Sequence, residues 1–127
     1  MEYGYRKEVD MEFESAVAKT KEELKKEGFG ILTQIDVKAT MKEKIGVDFD
    51  DYMILGACNP PFAHKALSAE REIGLLMPCN VIVYRNGGKI FVSSILPTSA
   101  MGMIKNDSLG AIAAEAEERL KKAITLV

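Results

Sequence analysis

The sequence predicts an α+β domain of two layers, a mostly antiparallel sheet covered by helices on one face, in the order β-α-β-β-α-β-β-α. Three observations predict it. Apolar residues alternate with polar ones at a period of two in some runs and recur at helical spacing in others, and Asn86-Gly87-Gly88 marks a tight turn between two apolar runs. A strand followed by a helix that must cover one face of the sheet recurs along the chain, and that pattern builds two layers. At 127 residues, 47% hydrophobic and 28% charged, the chain fits one domain, residues 1–127, with an ordinary core. Neither disorder nor a coiled coil is expected from that balance.

Each element has its own signal. Tyr3, Tyr5, Lys7 and Val9 alternate with Gly4, Arg6 and Glu8, which predicts a first strand, near a sheet edge because so many of its residues are polar. Asp10 is a candidate N-cap for the first helix, where Phe13, Val17, Thr20 and Leu24 recur at helical spacing. Gly28 suits the left-handed residue that closes it. Residues 31–37 read as a second strand, and residues 38–45 as a short helix stopped by Gly46, or a loop in its place.

Residues 52–57 form a compact apolar run ending at Cys58-Asn59-Pro60-Pro61. Asn59 can cap a helix there, because the first helical position has no partner for its N–H and so tolerates proline. On that helix, which ends by about Arg71, Ala63, Ala66, Leu67 and Ala69 or Glu70 share one side, Lys65 points away and His64 falls near the boundary. Residues 81–84 and 89–96 flank the Asn86-Gly87-Gly88 turn, where Asn-Gly supplies the positive φ angles of a hairpin. After Pro97 comes a polar, Met-containing connection, and Asp107 opens the last helix. Its Leu109, Ile112, Ala113, Ala116, Leu120 and Ala123 form a buried stripe, while Glu117 with Lys121 and Glu118 with Lys122 pair on the wet side.

Charge and hydropathy narrow the partners. Seventeen Lys and Arg against nineteen Asp and Glu leave a net charge of −2, with no positive excess to neutralise phosphates, so nucleic acid is not an expected partner. The longest stretch low in charge, residues 73–84, is shorter than the ~18–20 apolar residues of a membrane span and is interrupted by Pro78 and Asn80. No membrane segment is expected. Residues 1–10 lack the apolar block of a signal peptide, and the two cysteines, Cys58 and Cys79, do not amount to a disulfide framework. A cytoplasmic location follows as the expectation.

Gly28-Phe29-Gly30 before a strand, Asn59-Pro60 followed by Ala63 and Leu67, Leu76-Met77-Pro78 leading into Val81-Ile82-Val83-Tyr84, and Pro97 after the hairpin stand in an order that resembles domain-of-unknown-function family 302. The resemblance covers nearly the whole chain. It implies a compact two-layer α/β fold, found in small bacterial and archaeal proteins that tend to pair into dimers, and it implies no established activity. Many members place an aliphatic residue where Cys79 stands here, so Cys-Asn-Pro together with Leu-x-Pro-Cys looks like a subgroup feature.

The candidate site residues are Cys58, Asn59, His64, Cys79 and Met101. Cys58 lies where a strand hands over to a helix N-terminus, whose partial positive charge lowers a thiol's pKa; the alternative is a buried small residue beside Ala57. His64 is a boundary histidine or a general base. Met101 and Met103 face a partner or ligand, or fill core near the last helix. A metal site built on Cys58, Cys79 and His64 would need an invented fourth ligand, and Cys-x5-His is not a zinc spacing, so no metal and no cofactor are expected. Asp48, Asp50 and Asp51 read as a solvated loop because they lack the spaced ligands of a calcium loop. Gly28-Phe29-Gly30 is too short for a phosphate loop and does not open a helix.

Chain direction predicts that the two cysteines stay apart. If the helix after Cys58 travels back along the sheet and Cys79 starts a parallel strand, they sit at opposite ends, about 15 Å apart for a strand of about five residues, whereas a disulfide needs Cα atoms within about 7 Å. Only an extended connection over residues 72–78 would bring them together. The leading functional reading is a non-catalytic small-ligand-binding or regulatory accessory domain acting as a homodimer, with an apolar sheet face or edge protected by the second copy. A thiol-dependent redox protein using Cys58 and a purely structural dimerisation module are the alternatives.

Overall fold

The structure, a computed structural model, describes residues 2–127. Its elements are β1 (Gly4–Val9), α1 (Phe13–Lys26), β2 (Gly30–Asp36), α2 (Val37–Ile45), β3 (Tyr52–Cys58), α3 (Pro60–Ala69), a 3-10 helix (Arg71–Leu76), β4 (Cys79–Asn86), β5 (Lys89–Ile95), α4 (Pro97–Ala100) and α5 (Asp107–Thr125). The strands make one five-stranded sheet in the order β1-β5-β4-β3-β2, every neighbouring pair antiparallel. The α+β class, the two layers and the edge position of β1 agree with the sequence. Among the described residues, no helix is long and apolar enough to cross a membrane.

Pleating divides the sheet into two unlike faces. On one face Leu55, Val81, Val83 and Val92 are fully buried and join Leu24 of α1 and Leu120 and Ile124 of α5 in the main core. Burial of each such side chain contributes about 1.5–3 kcal/mol, and α1 and α5 pack against each other and on this face to provide it. On the other face Ile54, Ile82, Tyr84 and Phe91 are only half-buried. Tyr52, Tyr84 and Phe91 stack there across three adjacent strands at centroid spacings of 5.4 Å, and the Arg6 guanidinium lies 4.9 Å from the Phe91 ring.

The polar residues of β1 have a structural use. Tyr5 and Lys7 point to the helix-covered face and reach past it to the end of α5. The Lys7 ammonium donates to the Thr125 and Val127 carbonyls at 2.8 and 2.7 Å, and the Tyr5 hydroxyl bonds the Thr125 hydroxyl at 2.9 Å. The last carbonyls of a helix have no partner within it and favour a cation, so these bonds fasten α5 to the sheet edge.

Several local expectations are corrected. Asp10 does not cap α1; the helix starts at Phe13 with Glu12 at the N-cap, because the intervening residues turn the chain and set Met11 and Phe13 against the core. Strand β2 stops one residue early, since the Asp36 carboxylate accepts from the Ala39 N–H at 2.9 Å and starts α2 at Val37. In the hairpin Asn86 pairs with Lys89, so Gly87 and Gly88, at φ 60° and 79°, form the two-residue turn and Asn86 belongs to β4. Leu67 is exposed, lying outward over the 3-10 helix near Gly74. Asp107 opens α5 as expected, with Asn106 as its N-cap, whereas Lys122 pairs with Glu27 at 3.6 Å rather than with Glu118, because α1 and α5 lie side by side. Part of the Met-containing connection forms α4.

Leu120 is 1% exposed and Leu75 is 82% exposed. Leu120→Ala should cost about 2–5 kcal/mol in urea unfolding, whereas Leu75→Ala should stay within about 0.5 kcal/mol of wild type.

Candidate functional site

One end of the sheet is capped by α3 and the 3-10 helix, and the candidate site lies there. Strand β3 runs out at Cys58, and Asn59, buried, turns the chain into α3. Its side-chain oxygen accepts from the Phe62 N–H at 3.5 Å, and its side-chain N–H donates to the Glu27 carbonyl, just past α1, at 3.4 Å. Asn59 therefore ties the start of α3 to the end of α1. That end of α1 closes on Gly28, at φ 85°, with Gly28 and Phe29 N–H groups returning to the Lys25 and Leu24 carbonyls. This is the hydrogen-bond pattern of a Schellman cap, and it drives Phe29 into the core beside Leu24.

The chain then leaves through α3 and comes back through the 3-10 helix to the same sheet end. Strand β4 starts beside the finish of β3, with Ala57 directly opposite Cys79. The expected separation of the two cysteines is therefore wrong. Residues 71–76 make the return crossing, so β4 is antiparallel to β3, not parallel, and Cys58 and Cys79 line the same cavity. Gly56 permits the approach: a Cβ there would collide with the Thr33 hydroxyl and lie 2.8 Å from Cγ of Pro78, the residue that leads into Cys79.

The cavity holds about 40 Å³ between the sheet end, α3 and α5. Its lining is almost wholly apolar and includes Phe29, Phe62, Ala66, Met77 and Met101 besides the two thiols and Asn59. Met101 lines it while packing against the small core of Ala66, Ile73 and Leu109. Phe62 and Met77 went unrecognised, although Met77, adjoining Pro78-Cys79, was within reach of a reading that had brought the cysteines together. His64 is exposed and does not line the cavity; its carbonyl accepts from the Ser68 hydroxyl at 2.7 Å. Met103 is exposed as well.

Both thiols are held in the protonated form. Burial pushes the Cys58 thiol up, and burial followed by the proximity of Cys58 pushes Cys79 up to about 11. Of the two readings of Cys58, activation by the helix N-terminus is thus disfavoured: burial outweighs it, and the chain leaves that N-terminus little to offer. Pro60 and Pro61 have no N–H, the Phe62 N–H is taken by the Asn59 side chain, and the Ala63 N–H by the Asn59 carbonyl at 2.9 Å. No donor in the first turn of α3 remains for a thiolate.

The acidic loop before β3 is tied up in ion pairs, Asp51 with Arg85 at 3.1 Å and Lys38 at 3.4 Å, and Asp48 with Lys42 at 3.1 Å. Among the described residues, no group of three or more His, Cys, Asp or Glu is arranged to hold a metal ion.

Fold and site together define a small two-layer α+β domain with a sulfur-lined cavity at one end of an antiparallel sheet. The model for the domain of unknown function DUF302 matches residues 5–127, and the chain belongs to that family. It is also similar to the uncharacterized conserved protein DUF302 from Bacillus stearothermophilus, whose crystal structure aligns with a TM-score of 0.92 over 98% of each chain at 32% identity. No curated protein matches the chain. The family resemblance read from the residues is therefore established, and with it a fold whose function is unassigned.

Asn59→Ala should lower stability by about 1–2 kcal/mol in urea unfolding, since it removes a helix cap and a buried tie together. Alkaline pH probes Cys79 separately. An unfolded thiol loses its proton near pH ~8.5, whereas the folded one holds it to about 11. The folded state binds the extra proton in that interval, so stability is intact below it and falls as pH rises through it. Cys79→Ala should lose less stability over that interval than wild type.

Proposed function

We propose that the chain is a non-catalytic binding domain, cytoplasmic, that holds a small soft or apolar ligand at Cys58 and Cys79 and works as a homodimer. The observation that carries the reading is the convergence of both cysteines on one apolar cavity with neither thiol activated. A thiol redox catalyst needs an attacking thiolate at working pH, so the same observation counts against that alternative. Size limits the ligand: drug-sized molecules occupy pockets of about 300–1,000 Å³, while this cavity of about 40 Å³ suits one ion or a species of very few atoms. Native mass spectrometry of protein purified from its own host should find a small mass adduct that is lost in the Cys58→Ala, Cys79→Ala double variant. A clean apo mass under gentle conditions would count against the reading.

The second copy is supported by the half-buried aromatic face. Tyr, Phe and Arg are enriched at protein interfaces, and Arg6, Tyr52, Tyr84 and Phe91 lie together there, flanked by Ile54 and Ile82. A two-fold pairing of this face would put each ladder against its mate. Sedimentation at micromolar concentration should give a dimer, and Tyr84→Arg should give a folded monomer. A wild-type monomer would contradict the proposal.

A further inference from the structure

Resting on the reading of this cavity as a ligand site, we propose that it is a copper(I) site, with Cys58 and Cys79 as the ligands and Met77 and Met101 as neutral support. Four sulfur-bearing residues, two thiols and two thioethers, line one cavity whose other walls, Asn59 apart, are alanine, phenylalanine, Pro78 and Ile112. The polar side chain among them, Asn59, is already spent on α1 and α3.

Donor chemistry selects the metal. Calcium and magnesium require oxygen ligands, and the cavity presents no carboxylate. A structural zinc site needs four Cys or His ligands, of which two are present, His64 lying elsewhere. Thiolates and thioethers are the soft donors that select copper(I). Volume agrees, since about 40 Å³ accepts a bare ion but not an organic cofactor or an iron–sulfur cluster.

Entry is an exchange of cations without electron transfer. Copper(I) forms two bonds to sulfur, Cys58 and Cys79 each release one proton to water, and the complex carries one negative charge.

The test is an anaerobic titration of the full chain with copper(I) held by a coloured chelator such as bicinchoninate. Wild type should withdraw one equivalent, and X-ray absorption should give a first shell of sulfur alone. Cys58→Ser and Cys79→Ser should each weaken uptake at least about tenfold, and Met101→Leu by less. Far-UV circular dichroism of each variant guards against loss by unfolding, and Cys58→Ser, at the last residue of β3 beyond its ladder with β4, is the reference should Cys79→Ser not fold. Failure of folded wild type to take copper, or equal uptake by folded Cys58→Ser, overturns the copper assignment. A cysteine-dependent adduct of another mass in the host protein would overturn it while leaving the cavity as a ligand site, whereas an absent adduct and absent copper uptake would remove both.

Discussion

The antiparallel pairing of β3 with β4 is the constraint on which the site depends. Its ladder runs from Tyr52 opposite Tyr84 to Ala57 opposite Cys79, so the segment between the two strands must leave and return at one sheet end. Because α3 alone would carry the chain away, the 3-10 helix with its buried Ile73 is required to bring it back. Ile73 packs with Ala66 of α3 and Leu109 of α5 in a small second core. That core anchors the return and forms the roof over the two cysteines. The main core, between the sheet and the α1–α5 pair, fixes the floor.

The same arrangement explains why the two thiols keep their protons. A strand-to-helix junction ordinarily offers free N–H groups to an anion. Here two prolines and one asparagine side chain consume that capacity, and apolar walls raise the cost of a free thiolate. What is left is a pair of neutral sulfur donors in an apolar space, suited to a ligand that brings its own positive charge. The uncovered aromatic face lies on the opposite side of the sheet from the main core, so association through it would leave the cavity intact.

Most of the fold was legible because its signals are local. Period-two and helical spacings located nearly every element, the glycine pair marked the hairpin, and the polarity of residues 3–8 placed β1 at an edge. Helix boundaries were less legible where tertiary packing overrode a capping residue, as at Asp10. The site was only half legible. Cys58, Cys79, Asn59 and Met101 were legible as candidates, but their meeting in one cavity depends on strand direction, which is a property of the whole return path over residues 60–78. No spacing within that stretch distinguishes a 3-10 return from an extended one. His64 stays outside the cavity because its side of α3 faces water, in line with its reading as a boundary histidine.

The direction of β4 beside β3 is the central claim, and nuclear Overhauser effects between backbone protons of the two strands test it directly. The account predicts cross-strand contacts joining Ala57 with Cys79 and Tyr52 with Tyr84. Contacts joining Tyr52 with Cys79 and Cys58 with Arg85 would mean parallel strands, would return the two cysteines to opposite ends of the sheet, and would contradict it.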